Sequence, residues 1–374
     1  MNILIATGIY PPEIGGPATF VPAIVQRWVA AGHTVRVVTY GDAQTRRTDT
    51  WPVEVVRRNG GPVVRYVRYF FRVLRAARTA DVVFAQGGVS EGLPAMAAAC
   101  VRNVPCVVRI PGDYAWEMSM QRSGGGELLD AFVRHRHSGV IRFYEWAERW
   151  VTGHARAVIV PSEYLKQIVG QWGVPESRIS VVYNGIEPLP NSGLREETRR
   201  ELGIGAERMM LTVVRAVPWK GGDFLIPLLN RLPADVHLAI AGDGPSLDEW
   251  KQIADSQGVS SRVRFLGRVT RTEVARWMRG ADVFVLASGY EGFPHVVYEA
   301  VSIGLPCVVS NKGGNPETKK LFPEHVEVCA LGDADAWKAG IERSLAKAIV
   351  SAPVPNFGNT AASCLALLQR VCGS

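Results

Sequence analysis

At 374 residues, the chain is longer than a single hydrophobic core usually supports, so its length favours two domains. A hydrophobic content of 47% with 21% charged residues is typical of a well-packed protein, and the six scattered cysteines form no CxxC pair, which argues against a zinc site or a disulfide framework. The formal net charge is +7, and all of the excess lies before residue 184, where 21 Lys and Arg face 14 Asp and Glu.

The N-terminus enters an apolar strand without a basic leader, so we expect no secretory signal. No apolar run approaches the ~20 residues that a membrane span requires. We therefore expect a cytoplasmic protein.

Apolar strand-like runs alternate with helix-length amphipathic runs, which is the pattern of parallel sheets covered by helices. The first series of predicted strands comprises residues 2–6, 34–39, 53–56, 81–85, 106–110, 157–160 and 179–183. The second comprises residues 209–214, 236–241, 263–266, 283–287, 307–310 and 326–329. The turn-rich stretch 184–193 between them is the best linker candidate.

This pattern predicts an α/β chain with two doubly wound, Rossmann-like domains that face a central cleft. We place the domains at residues 1–185 and 186–358, and we expect a C-terminal helix, residues 359–374, to cross back to the first domain. Ligands of such sheets bind at the carboxyl ends of the strands, so the loops after each strand are the informative ones.

In the first domain, Gly15 and Gly16 precede a helix predicted over residues 19–31, and adjacent glycines let a phosphate approach the backbone. The GxGxxG fingerprint is absent, which argues against a nicotinamide or flavin enzyme. The loop after strand 106–110 contains Asp113 and Trp116. These two residues either contact an acceptor sugar or form a capped helix start, with Asp113 as the cap and Trp116 packed inward.

A basic amphipathic helix is predicted over residues 63–78. Four arginines share one helical face: Arg65, Arg68, Arg72 and Arg75. Apolar side chains share another: Val63, Val67, Phe70, Leu74 and Ala77. The helix either contacts an anionic membrane surface or is an ordinary surface helix with solvated arginines. Nucleic acid is disfavoured, because the aromatic residues form no separate stacking platform.

In the second domain, Arg215 and Lys220 follow the first strand. They can neutralise a diphosphate leaving group, or they are two surface cations. Gly242 and the run Gly267, Arg268 and Val269 follow the next two strands, where they form either walls of a nucleotide pocket or simple turns.

The segment 288–299, SGYEGFPHVVYE, places Glu291 and Glu299 around a turn that opens into a helix. Pro294 is predicted as the first helical residue, and the helix is predicted to stop at Gly304. The start of a helix offers N–H groups to an anion. The natural partners of the two acids are instead ribose or hexose hydroxyls, or a positive charge that develops during a reaction.

Two further acidic positions have structural interpretations. Asp333 and Asp335 form the one DxD sequence, which is predicted as a helix N-cap and first turn rather than a metal clamp. Glu317 is predicted in the first turn of a helix that follows Gly313 and Gly314. No other metal-ligand spacing is found, so we expect chemistry with neither a metal nor a cofactor.

Taken together, these motifs resemble those of the retaining glycosyltransferases of family 4, which have the GT-B architecture. The resemblance covers nearly the whole chain. It rests on Gly15-Gly16, PSEYLKQIVGQWGVP, VVYNGIE, RAVPWKGG, AGDGP, EGFPHVVYEA and GLPCVVSNKGGNPE.

The resemblance implies a role for each matching residue. Arg215 and Lys220 would bind the donor diphosphate, Glu291 would face the donor sugar, and Glu299 would hold the ribose. Gly16 would approach the diphosphate, and the backbone at Phe293, His295 and Val296 would contact sugar or phosphate. Two positions depart from the family pattern: Val214 replaces a common glycine, and Gly112-Asp113 stands where many members have histidine.

The implied activity is retaining, metal-independent transfer of a hexose from a UDP- or GDP-sugar to a hydroxyl of a glycan, glycolipid or lipid-linked acceptor. The alternatives are an epimerase or a phosphorylase on the same architecture, or a protein that binds a sugar nucleotide without chemistry. The expected location is the cytoplasm, with peripheral contact to a membrane through the arginine face.

Overall fold

The computed structural model describes residues 1–13, 15–42, 50–123, 126–191 and 193–373. The chain forms two compact units. Unit 1 comprises Met1–Arg122, Asp130–Gly185 and Pro355–Ser374, and unit 2 comprises Ser123–Leu129 and Ile186–Val354. The division after residue 185 coincides with the sequence-based boundary, whereas the return to unit 1 comes at residue 355 rather than 359.

Unit 1 contains a seven-stranded parallel sheet in the order β3-β2-β1-β4-β5-β6-β7. Its strands are β1 (Asn2–Thr7), β2 (Thr34–Tyr40), β3 (Val53–Val56), β4 (Val82–Ala85), β5 (Cys106–Arg109), β6 (Ala157–Val160) and β7 (Ile179–Val181). The helices in this part of the chain are α1 (Gly16–Ala30), α2 (Gly61–Ala76), α3 (Gly92–Arg102), α4 (Tyr114–Ser123), α5 (Leu129–Phe132), α6 (Gly139–His154) and α7 (Glu163–Gln171).

Unit 2 contains a six-stranded parallel sheet in the order β10-β9-β8-β11-β12-β13. Its strands are β8 (Arg208–Val213), β9 (Val236–Ala241), β10 (Val263–Gly267), β11 (Val283–Leu286), β12 (Cys307–Ser310) and β13 (Val326–Cys329). Its helices are α8 (Arg195–Glu201), α9 (Gly222–Leu228), α10 (Leu247–Ser256), α11 (Arg271–Gly280), α12 (His295–Ser302), α13 (Asn315–Leu321) and α14 (Ala334–Leu345).

The last helix, α15 (Phe357–Gly373), packs into unit 1. Its inward side chains join the core that α1 and β1 form: Phe357, Ala361, Cys364, Leu367 and Leu368. The indole Nε1 of Trp28 donates a hydrogen bond to the carbonyl oxygen of Ala361 at 2.9 Å. This bond satisfies a polar atom that would otherwise be buried without a partner.

The apolar face of α2 differs from the sequence prediction. Its buried residues are Tyr69, Val73 and Ala76, whereas the predicted Val63 and Val67 are 75% and 48% exposed. The Tyr69 hydroxyl donates a hydrogen bond to the Val38 carbonyl oxygen in β2 at 2.8 Å. This bond fixes the rotation of the helix. Helix α1 begins at Gly16 instead of residue 19, because Pro17 occupies its first turn.

No helix formed by the described residues is both long and apolar enough to cross a bilayer. All six cysteines are free, and four of them are buried: Cys106, Cys307, Cys329 and Cys364.

Candidate functional site

The sheet of unit 2 reverses its strand order between β8 and β11, which are hydrogen-bonded neighbours. In doubly wound sheets, ligands bind at the carboxyl ends of the strands at this switch point. A single 3-10 turn, Pro218–Lys220, follows β8, and the segment containing Glu291 follows β11. The backbone N–H of Gly289 donates to the Trp219 carbonyl oxygen at 2.7 Å. The two loops are therefore joined directly at the switch point.

Lys220 and Glu291 form an ion pair across these two loops. The Lys220 Nζ lies 2.6 Å from Glu291 Oε1, and the two side chains are 17% and 14% exposed. Partial burial strengthens the attraction between them, because solvent screens it less than at the surface. Lys220 has two further N–H donors for an anion, and Glu291 has a second oxygen for hydroxyl groups. The sequence predicted both residues at the site but not their mutual bond.

The loop after β12 supports the backbone of Glu291. Gly313 has a φ of 59°, and a Cβ atom at this position would lie 2.6 Å from the Glu291 nitrogen and 2.7 Å from its oxygen. The N–H of Gly314 donates to that oxygen at 2.7 Å. Glycine is needed at position 313 for its left-handed backbone and for its close approach to Glu291.

Gly313→Ala is expected to lower turnover at least about tenfold, because the new methyl group must displace the backbone that places the Glu291 carboxylate. Gly332→Ala is the matched control: Gly332 has a φ of 86°, and no described atom lies within 4 Å of its Cβ position. We expect each variant to lose about 1 kcal/mol of unfolding free energy from backbone strain, and Gly313→Ala to lose more because its methyl group overlaps the Glu291 backbone. Initial-rate assays with thermal unfolding check this; equal turnover in the two variants would contradict the role of Gly313.

Glu299 projects from α12 and pairs with a residue that the sequence analysis missed. Arg271 Nη1 lies 3.0 Å from Glu299 Oε1, and the Glu299 side chain is 13% exposed. Arg271 Nη2 also donates to the Glu187 carbonyl oxygen at 2.6 Å. Burial raises the pKa of Glu299, and the Arg271 charge opposes that rise. No spacing in the sequence links positions 271 and 299, so the sequence could not predict this contact.

Pro294 is not the first helical residue, contrary to the sequence prediction. It precedes α12 with φ −82° and ψ 74°, and the His295 N–H donates to the Phe293 carbonyl oxygen at 3.0 Å. These values describe an inverse γ-turn. The Phe293 ring packs 4.4 Å from the ring of Tyr298, which favours this turn over an earlier helix start. The His295 side chain is exposed, Val296 is half-buried, and Gly304 follows the helix with a φ of 84°.

The other predicted donor residues of unit 2 differ in exposure. Arg215 is exposed and makes no ion pair with any residue the structure describes. Arg268 is 82% exposed and lies 3.7 Å from Asp243, while the adjacent Val269 is half-buried. Gly242 packs tightly, since a Cβ there would lie 1.8 Å from the Val214 carbonyl oxygen, whereas no described atom lies within 4 Å of the Cβ position of Gly267. Gly242 is thus required for the packing of its own turn.

In unit 1, Gly15 immediately precedes α1, and Gly16 begins it. No described atom lies within 4 Å of a Cβ placed on Gly16, so its backbone is open to a ligand. The sequence correctly placed these two glycines at a helix N-terminus after β1. Their contact with a phosphate stays a prediction.

Asp113 and Trp116 form a capped helix start rather than an exposed sugar contact. Asp113 is 3% exposed and accepts a hydrogen bond from the Trp116 N–H at 2.8 Å, while the Trp116 side chain is 1% exposed. Of the two alternatives that the sequence left open, the structure agrees with the capped helix start and the inward-packed Trp116 ring. Glu148, which the sequence analysis missed, accepts a second bond at this helix start, from the Tyr114 N–H at 2.7 Å.

The two carboxylates at this helix start have perturbed pKa values. Burial raises the pKa of Asp113 to about 6. Burial, followed by the Asp113 charge, raises the pKa of Glu148 well above its ordinary value. Two buried like charges oppose each other's ionisation. The pair is therefore a local source of strain at neutral pH.

Asp333 and Glu317, which the sequence analysis interpreted as structural, lie at the starts of helices in the structure. The Asp333 side chain accepts a bond from the Ala336 N–H at 3.0 Å and caps α14. Glu317 lies in the first turn of α13. Among the described residues, no group of three or more His, Cys, Asp or Glu side chains could hold a metal ion.

Two family models match the chain and together span most of both units. The "Glycosyl transferase 4-like domain" matches residues 15–185, and "Glycosyl transferases group 1" matches residues 195–352. The chain belongs to the group 1 glycosyltransferases. The glycosyltransferase is thus a hexosyltransferase, and its two Rossmann-like units are those of the GT-B architecture.

Relatives of this glycosyltransferase include both archaeal and bacterial proteins. It is 28% identical over 367 residues to the uncharacterized glycosyltransferase MJ1607 of Methanocaldococcus jannaschii, covering 92% of this chain and 89% of that protein. It is 28% identical over 237 residues to the UDP-Gal:alpha-D-GlcNAc-diphosphoundecaprenol alpha-1,3-galactosyltransferase of Escherichia coli, covering 60% of this chain and 56% of that one.

The glycosyltransferase also resembles the solved structure of Anabaena HepE in complex with UDP. The TM-score is 0.72 at 19% sequence identity, with 100% of this chain and 98% of that chain covered. At this identity, the likeness establishes the shared fold.

Proposed function

We propose that this glycosyltransferase moves a hexose from a UDP- or GDP-sugar to a hydroxyl of a glycan, glycolipid or lipid-linked acceptor, with retention of configuration and without a metal ion. The observation that carries the proposal is the Lys220–Glu291 pair, 2.6 Å long, at the switch point of unit 2. The pair places a cation, which can bind a diphosphate, beside a carboxylate, which can bind the hydroxyls of the sugar attached to that diphosphate.

The proposed division of labour follows the charges. Lys220 and the exposed guanidinium of Arg215 neutralise the diphosphate as it departs, and the N-terminus of α12 adds the positive end of its helix dipole. Glu291 accepts hydrogen bonds from sugar hydroxyls and stabilises positive charge that develops at the reactive carbon. Glu299, held by Arg271, accepts hydrogen bonds from the ribose.

In the proposed step, the bond between the sugar's anomeric carbon and the diphosphate breaks, and a bond to the acceptor oxygen forms on the same face. The acceptor's proton passes to an oxygen of the leaving diphosphate. The protein contributes positioning and electrostatic stabilisation of an oxocarbenium-like state. This step needs neither a metal ion nor a base supplied by the protein.

The named relatives support the substrate classes. The Escherichia coli relative is a galactosyltransferase that uses UDP-Gal and a diphosphoundecaprenol-linked sugar, and the HepE structure contains UDP. A UDP-sugar donor and a lipid-linked sugar acceptor are therefore the first candidates.

A donor and product assay tests the proposal. Thermal unfolding is measured with UDP-glucose, UDP-galactose, UDP-N-acetylglucosamine and GDP-mannose, since a ligand that binds the folded state raises its apparent stability. The stabilising donor is then incubated with short glycoside and polyprenyl-diphosphate sugar acceptors, with and without EDTA. We expect an α-linked product in equal yield under both conditions.

Other results would identify the alternatives. An epimerase would convert the donor without an acceptor, and a phosphorylase would require inorganic phosphate. A β-linked product would exclude retention, and loss of activity in EDTA would exclude the metal-free mechanism. Donor binding without turnover, in the wild type and in Glu291→Ala alike, would indicate a protein that binds the donor without performing the chemistry.

We also propose that α2 holds unit 1 on the cytoplasmic face of an anionic membrane. Its outer surface combines arginines with exposed apolar side chains: Arg68, Arg72, Arg75, Val63, Val64, Val67 and Phe71. Phe71 is 61% exposed, and this surface borders a groove of about 610 Å³ between β3 and α2. Arg65 does not belong to the surface, because its guanidinium lies 5.3 Å from the Tyr40 ring centroid.

The double variant Arg68→Glu with Arg75→Glu is expected to weaken binding to phosphatidylglycerol-containing liposomes at least about tenfold, since each juxtamembrane basic residue contributes about 1 kcal/mol. Lys251→Glu with Lys320→Glu in unit 2 changes the net charge equally and serves as the control. Liposome co-sedimentation measures the effect. If both double variants bind as the wild type does, α2 is an ordinary surface helix.

A further inference from the structure

Helix α6 carries a row of aromatic side chains on its outer face. The row follows spacings of three and four residues, which place its members on one side of the helix: Phe143, Trp146, Trp150 and His154. Successive ring centroids along the row are 5.7, 6.3 and 4.6 Å apart. Phe143 and Trp146 are 41% and 50% exposed, and the nearby Val140 is 37% exposed. A single exposed apolar side chain is ordinary, but a contiguous row marks an interaction surface.

The charged residues of α6 are divided between its two sides. Arg142 and Arg149 are exposed, and they lie four residues before and three residues after Trp146, so they border the row. The two acids of the helix lie on other sides of it. Glu148 is 2% exposed, and Glu145 pairs with a histidine side chain at 2.7 Å. The outer face of this fully described helix is therefore aromatic and basic, without a carboxylate.

The same layer of helices contains α2 and its arginine surface. Right-handed crossovers place α2, α3 and α6 on one side of the sheet, because they lead from β3 to β4, from β4 to β5 and from β5 to β6. Helix α3 lies between the other two. Its Arg102 Nε donates to the Leu74 oxygen of α2 at 2.9 Å, and a Cβ on its Gly92 would lie 3.6 Å from the side chain of Val151 in α6. Val101 of α3 is 66% exposed, so all three helices expose apolar side chains.

The width of this helix layer decides what can cover it. Packed helices lie about 8–10 Å apart, so α2 and α6, on either side of α3, are about 16–20 Å apart. A single docked helix is only about 10–12 Å wide and cannot contact both. A second copy of this chain would bring its own arginines against those of α2 and α6 in a two-fold interface. A lipid bilayer is broad, presents phosphates to arginines, and receives tryptophan rings at the depth of its headgroups.

We propose that the aromatic row of α6 inserts into the headgroup region of an anionic bilayer and, together with the outer surface of α2, sets the orientation of unit 1 on the membrane. The inference rests on the membrane contact proposed for α2 and adds a second anchor to it. The two anchors differ in physical character. Attraction of the α2 arginines to lipid phosphates is screened by salt, whereas insertion of aromatic rings removes apolar area from water and does not depend on charge.

Liposome co-sedimentation of the full chain tests the proposal. Phe143→Ser with Trp146→Ser is expected to weaken binding to vesicles of phosphatidylglycerol and phosphatidylcholine at least about tenfold, because both rings lose their contact with lipid. The loss should be similar at low and at high salt. Leu194→Ser with Val350→Ser is the control, since these two side chains are 76% and 62% exposed in unit 2. Thermal unfolding of each variant checks that it is folded.

Fluorescence quenching provides a second measurement, which does not depend on a loss of binding. Vesicles that contain phosphatidylcholine with brominated acyl chains quench tryptophan rings that enter the bilayer. Trp146→Phe keeps an aromatic ring in the row, so we expect this variant to bind as the wild type does and to lose part of the quenching. Trp250→Phe is the control, because the Trp250 ring is 1% exposed in unit 2 and its removal should leave the quenching unchanged.

Unchanged vesicle binding by the Phe143 and Trp146 double variant, or unchanged quenching in Trp146→Phe, would overturn the proposal. A wild-type dimer in light scattering that the double variant does not form would also overturn it, because a second copy would then cover the row. Sugar transfer to a short water-soluble glycoside should be equal in the wild type and the double variant. Vesicle binding that depends on the row, in a protein that transfers no sugar, would refute the proposed function and leave this surface standing.

Discussion

Lys220→Ala is expected to lower kcat at least about 100-fold, which is the usual cost of removing one preorganised donor that stabilises transition-state charge. In the structure, Lys220 forms a 2.6 Å ion pair with Glu291, and the two side chains are 17% and 14% exposed. Under the proposed function, removing the lysine deletes a cation that neutralises the departing diphosphate. It also leaves the Glu291 carboxylate without its partner.

A double-mutant cycle separates these two effects. Lys220→Ala, Glu291→Gln and the double variant are compared in steady-state transfer assays. If the pair acts as a unit, the double variant should be little slower than the slower single variant, because residues in contact are not additive. Lys251→Ala is the control, since that exposed lysine pairs only with Asp248 at 3.0 Å among the described residues.

Strictly additive losses would show that Lys220 and Glu291 act independently, and a Lys220→Ala enzyme with wild-type kcat would remove the lysine from the mechanism. A raised KM with unchanged kcat would assign Lys220 to ground-state binding of the donor.

Glu148→Gln is expected to raise the unfolding free energy at pH 8 by roughly 1–3 kcal/mol, since one unit of pKa shift corresponds to about 1.4 kcal/mol. Glu148 is 2% exposed and lies beside the buried Asp113. The amide removes one of two like charges and keeps an oxygen to accept the hydrogen bond from the Tyr114 N–H. Chemical denaturation of the wild type and the variant across pH 4–8 measures the change.

The pH dependence follows from the sign of the shifts. Folding raises both pKa values, that of Asp113 to about 6, so the folded state binds these protons more tightly than the unfolded chain. The pair's contribution to stability is therefore fully present below the unfolded pKa values near 4 and is lost as pH rises through about 6 and above. The Glu148→Gln protein should show a flatter profile.

Glu163→Gln in the same unit, with a side chain that is 55% exposed, is the matched control and should follow the wild-type profile. A Glu148→Gln protein that is less stable than the wild type at pH 8 would show that the ionised pair contributes more through its hydrogen bonds than it costs through repulsion.

The strands were the most predictable part of the fold. Five strands have the predicted bounds: β3, β6, β9, β12 and β13. They were predictable because a parallel strand buried on both faces is a short apolar run between turn residues. The helix faces were less predictable. The helical spacing of the apolar residues suggested Val63 and Val67 for the packed side of α2, but the hydroxyl contact of Tyr69 with Val38 determines which side faces the sheet. A contact between residues so far apart in sequence leaves no local pattern.

The same distinction holds at the candidate site. The sequence predicted Lys220, Glu291 and Glu299 at one site. All three come after β8 or β11, and the sheet topology makes those two strands neighbours, so their ends lie together. The bonds among these residues were not predictable. The Glu299–Arg271 pair joins two helices, α12 and α11, and the support of Glu291 by Gly313 joins the loops after β11 and β12. Asp113 remained open to two interpretations because its buried partner, Glu148, lies 35 residues further along the chain.

The position of α15 has a consequence for the synthesis of the chain on the ribosome. Five of its side chains complete the core of unit 1, and the Trp28 indole bonds to the Ala361 oxygen. Unit 1 therefore cannot bury its core until residues 355–373 have left the ribosome, whereas unit 2 is complete once residue 354 has emerged. Domains generally fold as units in the order in which they are synthesised. Here the unit that begins the chain is expected to finish folding last.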